Sequence, residues 1–158
     1  MKQITIVFLK SAIIILGLVV LCISIFGLPK IAAFPAEANP EYAYLKWPVM
    51  LGLYITEIPF YLALYQSFKL VGFINQRIVF SEEVVRNLKL IKLNAWSITL
   101  LYSAGAILLL TQNALHPGIA IAGIVIIFAS VTISVFVSVL LEVLNHALEL
   151  KSENNLTV

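Results

Sequence analysis

The sequence is short of charge. Its 158 residues include ten lysines and arginines and eight acids, 11% charged in all, where soluble domains run at about 25%. A chain this poor in charge cannot clothe itself in a water-facing surface, which excludes an ordinary soluble domain. Cysteine is nearly absent as well. Cys22 alone excludes an intramolecular disulfide and a thiolate zinc site, and its place inside an apolar run assigns it to helix packing. The glycines form no phosphate-cradling run, and no nucleophile has an identifiable base, so nucleotide-dependent and hydrolytic chemistry have no residues to act through. With a net charge of +2 and one short basic cluster, direct nucleic-acid binding is not expected. The chain reads as non-enzymatic, with no catalytic set, cofactor or metal.

What is abundant is hydrocarbon: 61% of residues are apolar and the mean hydropathy is +1.04. The apolar residues gather into four runs, at 11–28, 47–68, 93–111 and 118–141, each close to the roughly 20 residues that cross a bilayer. The first follows Lys10 and resembles a secretory signal, but its length exceeds an h-region's usual 7–15 residues or so, so it reads as an uncleaved anchor. The fourth is rich in Ile and Val, yet lipid offers an open strand no backbone partner, so it too reads as helix. Between the last two runs, Gln112-Asn113 and then Pro117-Gly118 predict a tight helical hairpin. The expected fold is all-α: a single transmembrane domain over 1–158, an integral four-helix bundle with an outer loop at 29–46 and a cytoplasmic loop at 69–92.

Orientation follows from the basic residues. Lys2, Lys10, Lys69, Arg77, Arg86, Lys89, Lys92 and Lys151 fall on one side, and only Lys30 and Lys46 on the other. The positive-inside rule therefore places both termini and the middle connection in the cytoplasm. Tyr42, Tyr44 and Trp47 mark the outer interface, and Trp96 the inner one.

The middle connection carries the most local structure outside the spans. Ser81 is a natural N-cap, Glu82 and Glu83 suit the positive end of a helix dipole, and Phe80 with Val85 forms a hydrophobic staple. Glu82 and Arg86 are spaced to favour a helix running through Lys92 into the third span. Phe80, Ser81, Glu82, Arg86, Lys89 and Lys92 are the candidate contacts for a partner or for lipid headgroups, each basic residue adding about 1 kcal/mol near an anionic surface. The run from Arg77 through Phe80-Ser81-Glu82-Glu83 to Arg86-Asn87-Leu88, set between spans two and three of a four-span chain, resembles the signature of the YoaS-like family of small bacterial membrane proteins, whose domain has no assigned function. The resemblance implies a bacterial inner-membrane protein, often encoded beside a small helix-turn-helix regulator of the Xre-like or YozG-like type. A cytoplasmic DNA-binding regulator is thus the partner it suggests, beside the bilayer itself.

Two intramembrane features are polar. Glu57, near the middle of span two and two residues before the kinking Pro59, must be protonated or paired, because a lone carboxylate at that depth costs about 3 kcal/mol. Tyr54, Tyr61, Tyr102 and the hydroxyls of span four are its expected partners. In span four, Gly118, Ala122, Ile126, Ser130, Ser134, Ser138, Glu142 and His146 recur every four residues, a seam that lets a neighbouring helix approach. The candidate intramembrane site is Glu57, Ser130, Ser134, Ser138 and Glu142. Glu142 and His146 alone do not complete a metal site, and His116 reads as an interfacial residue. The leading expectation is a regulatory protein-interaction role through residues 75–92. The alternatives are a small homo-oligomeric transporter or proton-coupled pore using Glu57, and an immunity-type protein meeting a membrane-active peptide at its outer loop.

Overall fold

In hydrocarbon a backbone must satisfy its own hydrogen bonds, and this chain does so with helices. The computed structural model describes residues 3–31, 33, 40–76 and 78–156. Lys2, Arg77 and the outer-loop residues 34–39 lie outside that set, as does any contact through that part of the loop. Helix α1 (Gln3–Cys22) passes through a five-residue π turn, Ile23–Gly27, and the helical span continues to Ile31. A 3-10 turn at Pro40–Leu45 leads into α2 (Lys46–Asn75), which is followed by α3 (Glu82–Thr111) and α4 (Pro117–Leu156). There is no strand among the described residues. All four helical spans are long and apolar enough to cross a membrane.

The helix ends form where local chemistry directs. Ser81 is extended (φ −143°, ψ 153°) and its hydroxyl accepts from the Val84 amide at 3.4 Å, with Glu82 and Glu83 in the first turn of α3. At the other end of α3, Asn113 takes the left-handed conformation (φ 53°), which asparagine tolerates. The Ala114 amide reaches back to Leu109 O at 2.9 Å and the Asn113 amide to Leu110 O at 3.1 Å, a Schellman closure. Pro117 then opens α4, and His116 accepts the Gly118 amide on Nδ1 at 3.2 Å. His116 is thus a helix cap. The hairpin is clasped from outside by Tyr44, whose hydroxyl donates to Gln112 Oε1 at 2.6 Å, and by Tyr42, which donates to Asn113 O at 3.2 Å.

The four helices are not equal partners. At 1.5 Å per residue, α2 and α3 (30 residues each) are about 45 Å long and α4 (40 residues) about 60 Å, against about 30 Å of hydrocarbon. An apolar cluster joins the start of α3 to α4: Val84, Leu88 and Ile91 of α3 with Val137 and Leu141, at the end of the fourth apolar run, and Leu144 just beyond it, flanked by Leu70 and Phe73 of α2. Farther along α3 and α4 the buried residues are mostly small, Ala95, Thr99, Ser130 and Ser134, with Leu109 the exception. This preference for small residues has a physical cause. Burying a leucine away from lipid gains little, so membrane helices associate through small side chains. Buried positions on α4 step 130, 134, 137, 141, 144, and on α3, besides Leu109 and the Asn87 that bonds α2, they step 84, 88, 91, 95, 99, the mixture of threes and fours of an antiparallel coiled-coil seam.

Helix α1 stands apart from this core and packs on α2. Their seam is a ladder with seven-residue rungs. Lys10 Nζ lies 5.0 Å from the centre of the Phe68 ring. Tyr61 donates its hydroxyl to Gly17 O at 3.1 Å. Tyr54 donates to Ser24 O at 3.3 Å. Two turns of helix bring each rung back to nearly the same face.

Candidate functional site

Glu57 sits on the α1–α2 ladder, half-buried, and accepts a hydrogen bond from the Ser24 hydroxyl. Ser24 is only 3% exposed and belongs to the π turn. A π turn widens the helix and often marks a functional position. Here it presents both polar groups of Ser24 to α2, the hydroxyl to Glu57 and the carbonyl to Tyr54. Two residues beyond Glu57, Pro59 lacks the amide that would bond the Ile55 carbonyl. Of the expected partners, Tyr54 and Tyr61 do lie on this seam, but both bond carbonyls of α1. The partner that closes on the carboxyl is Ser24, which the sequence reading did not single out. No hydrogen bond links Glu57 to Tyr102 or to the serines of α4 among the described residues. Cys22 is exposed, on a different side of α1 from Gly17 and Ser24.

The serines of α4 serve the other seam. Ser130 and Ser134 are buried, at 6% and 2% exposure. Ser138 is half-buried and returns its hydroxyl to Ser134 O at 2.8 Å. Glu142 and His146 are exposed. A strict four-residue stripe drifts about 40° per step, so the seam turns to Val137, Leu141 and Leu144 and leaves Glu142 outside. The structure therefore distributes the five expected intramembrane residues over three places: Glu57 on the α1–α2 seam, the three serines on the α3–α4 seam, and Glu142 exposed outside it. Among the described residues no three His, Cys, Asp or Glu side chains gather as a metal would require.

The α2–α3 turn gathers the remaining candidates. Phe80, Glu82, Arg86 and Lys89 are exposed, while Ser81 and Lys92 are half-buried. Ile78 and Val79 are exposed beside Phe80, which has 56% of its surface free. The other face of α3 is fastened down by Val84 and Leu88, and Asn87, 4% exposed, donates Nδ2 to Gln66 O of α2 at 2.7 Å. Beside it Gln66 Oε1 is buried without a hydrogen-bond partner. An exposed apolar corner and two exposed cations are thus carried on a backbone held by a core, a cap and an interhelical amide.

Comparison with known proteins bears on what this arrangement is. The model of a family described as a protein of unknown function (DUF2975) matches residues 30–158. The chain belongs to that family. Among DUF2975 relatives, the Bacillus subtilis (strain 168) protein described as "Uncharacterized membrane protein YoaS" is 45% identical over 160 residues, covering 100% of both chains. The YoaS-like resemblance carried by the α2–α3 turn is therefore real and extends over the whole length. With four apolar helices and a membrane relative, this DUF2975 chain is a multi-pass membrane protein. The family match takes in all three helices of the core. No solved structure matches.

Proposed function

We propose that the protein is a non-enzymatic docking protein, with its termini and the α2–α3 turn on the cytoplasmic side and residues 75–92 as the contact for a soluble regulatory partner. The charge count supports the orientation, eight basic residues against two. The observation that carries the docking reading is the apolar cluster that fastens Val84, Leu88 and Ile91 of α3 to α4 and so fixes the α2–α3 turn beneath an exposed Phe80, Arg86 and Lys89. From Phe68 to the end of α2 at Asn75 is about 10 Å of helix, which lifts the turn clear of the hydrocarbon. A mere topogenic loop needs its charges and no such core. The surface suits a partner with an apolar patch bordered by acidic side chains. A small helix-turn-helix regulator is the partner class suggested by the family resemblance.

The test is recovery of partners by tagged protein from mildly solubilised native membranes. Wild type is expected to retain a small cytoplasmic protein. A variant carrying Arg86→Glu and Lys89→Glu, both exposed and outside the core, is expected to lose about 10–100-fold of that recovery, since reversed charges oppose an acidic surface. Equal recovery by both proteins, or nothing specific with either, would contradict the proposal.

A further inference from the structure

We infer that Glu57 and Ser24 form an intramembrane binding site for a small monovalent cation, a proton or Na⁺, at the α1–α2 seam. Glu57 lies inside the apolar part of α2 and Ser24 inside that of α1. The ionisable side chains hydrogen-bonded along this seam beside Glu57 are Tyr54 and Tyr61 of α2, and neither can supply positive charge. Among the described residues one neutral hydroxyl, that of Ser24, donates a hydrogen bond to the carboxyl. A single such bond does not balance a full negative charge in a low dielectric, whereas a bound cation does. The atoms brought together are all oxygens, from the Glu57 carboxyl, the Ser24 hydroxyl and carbonyl and the Tyr54 hydroxyl. That donor set suits hard cations.

The backbone supports the same conclusion independently. At this level α1 departs from regular geometry by the π turn that contains Ser24, and α2, an unbroken helix, carries Pro59, which supplies no amide to the Ile55 carbonyl. Helix carbonyls released from their regular bonds beside a carboxylate are a recurrent way to hold Na⁺ or H⁺ within a bilayer. A site serving only to join helices needs neither feature, as the Tyr61–Gly17 rung shows with regular helix on both sides.

The experiment uses the full-length protein reconstituted in liposomes and the apolar reagent dicyclohexylcarbodiimide, which modifies carboxyl groups within membranes, with the modified residue located by mass spectrometry. Glu57 is expected to be modified in choline buffer at low pH. Modification falling at least fivefold as pH rises, regardless of Na⁺, identifies the proton. A fall of that size on replacing choline by Na⁺ at constant pH, with no fall for K⁺, identifies Na⁺. Ser24→Ala is expected to shift the protecting pH or Na⁺ concentration at least threefold. Glu57→Gln, which retains the shape and an acceptor for Ser24, serves as the folded control and is expected to show no modification at this position. Absence of modification at Glu57 in folded wild type, or modification indifferent to pH and Na⁺, would overturn the inference.

Discussion

Replacing Leu88 by alanine is expected to destabilise the folded protein by about 2–5 kcal/mol, the range for a buried leucine whose loss leaves a cavity. Leu88 is 4% exposed and sits between Val84 and Ile91 on the face of α3 that meets Val137, Leu141 and Leu144. Those neighbours come from helices held at both ends of long seams, so they cannot collapse fully into the space. The effect is large because the cavity left behind takes close-packed contacts from every side chain that lines it. Phe128 makes the contrast. It is a larger side chain, 72% exposed on α4, and within the bilayer its surroundings are as apolar as the protein interior. Phe128→Ala is expected to change stability by less than about 0.5 kcal/mol. Unfolding by sodium dodecyl sulfate in mixed micelles, followed by circular dichroism, measures both.

The second large effect is expected at Gly17. A β-carbon built there comes within 2.9 Å of Leu64 Cδ2, the end of a flexible side chain, so alanine is accommodated by a small shift of Leu64. Leucine is not. Its added bulk must fit where the two helices touch and where Tyr61 reaches the Gly17 carbonyl. Overpacking of this kind costs about 1–3 kcal/mol, and α1 is attached chiefly to α2, so the strain is relieved by lifting α1 off. When residues 1–36 and 37–158 are expressed as separate tagged pieces, the first is expected to co-purify with the second. Gly17→Leu is expected to lower that recovery about tenfold and Gly17→Ala by less than twofold. An undiminished yield with leucine would contradict the ladder.

The sequence disclosed some of this architecture and concealed the rest for identifiable reasons. Ser81, the glutamates after it and the Asn113 turn were legible because capping chemistry is local and depends on a few adjacent residues. The helical spans were legible because hydrocarbon imposes length and excludes charge. Which side of each span faces another helix was not, since lipid-facing and protein-facing sides are both apolar. Ser24 therefore passed as one hydroxyl in a greasy run, and a π turn has no residue signature. A signal was nonetheless present: Lys10, Gly17 and Ser24 recur every seven residues, as do Tyr54, Tyr61 and Phe68 in the opposite sense, which is the period two packed helices share. The four-residue serine stripe of α4 includes Ser130 and Ser134, which are buried, but runs on to the exposed Glu142 and His146, because the buried seam follows threes and fours. The core near Leu88 was half visible in Val84 and Leu88. Its partners on α4 lay beyond the reach of any local argument.

The most direct test of a cytoplasmic docking surface is a photocrosslinking amino acid placed at Phe80 in the full-length protein in living cells, with the same substitution at Phe128 for comparison. Both positions are exposed, so neither replacement disturbs the core. A discrete protein adduct at Phe80 that is lost on adding Arg86→Glu and Lys89→Glu, with no such adduct at Phe128, is the predicted result. Lipid adducts alone at Phe80, or the same protein adducts at both positions, would contradict the account.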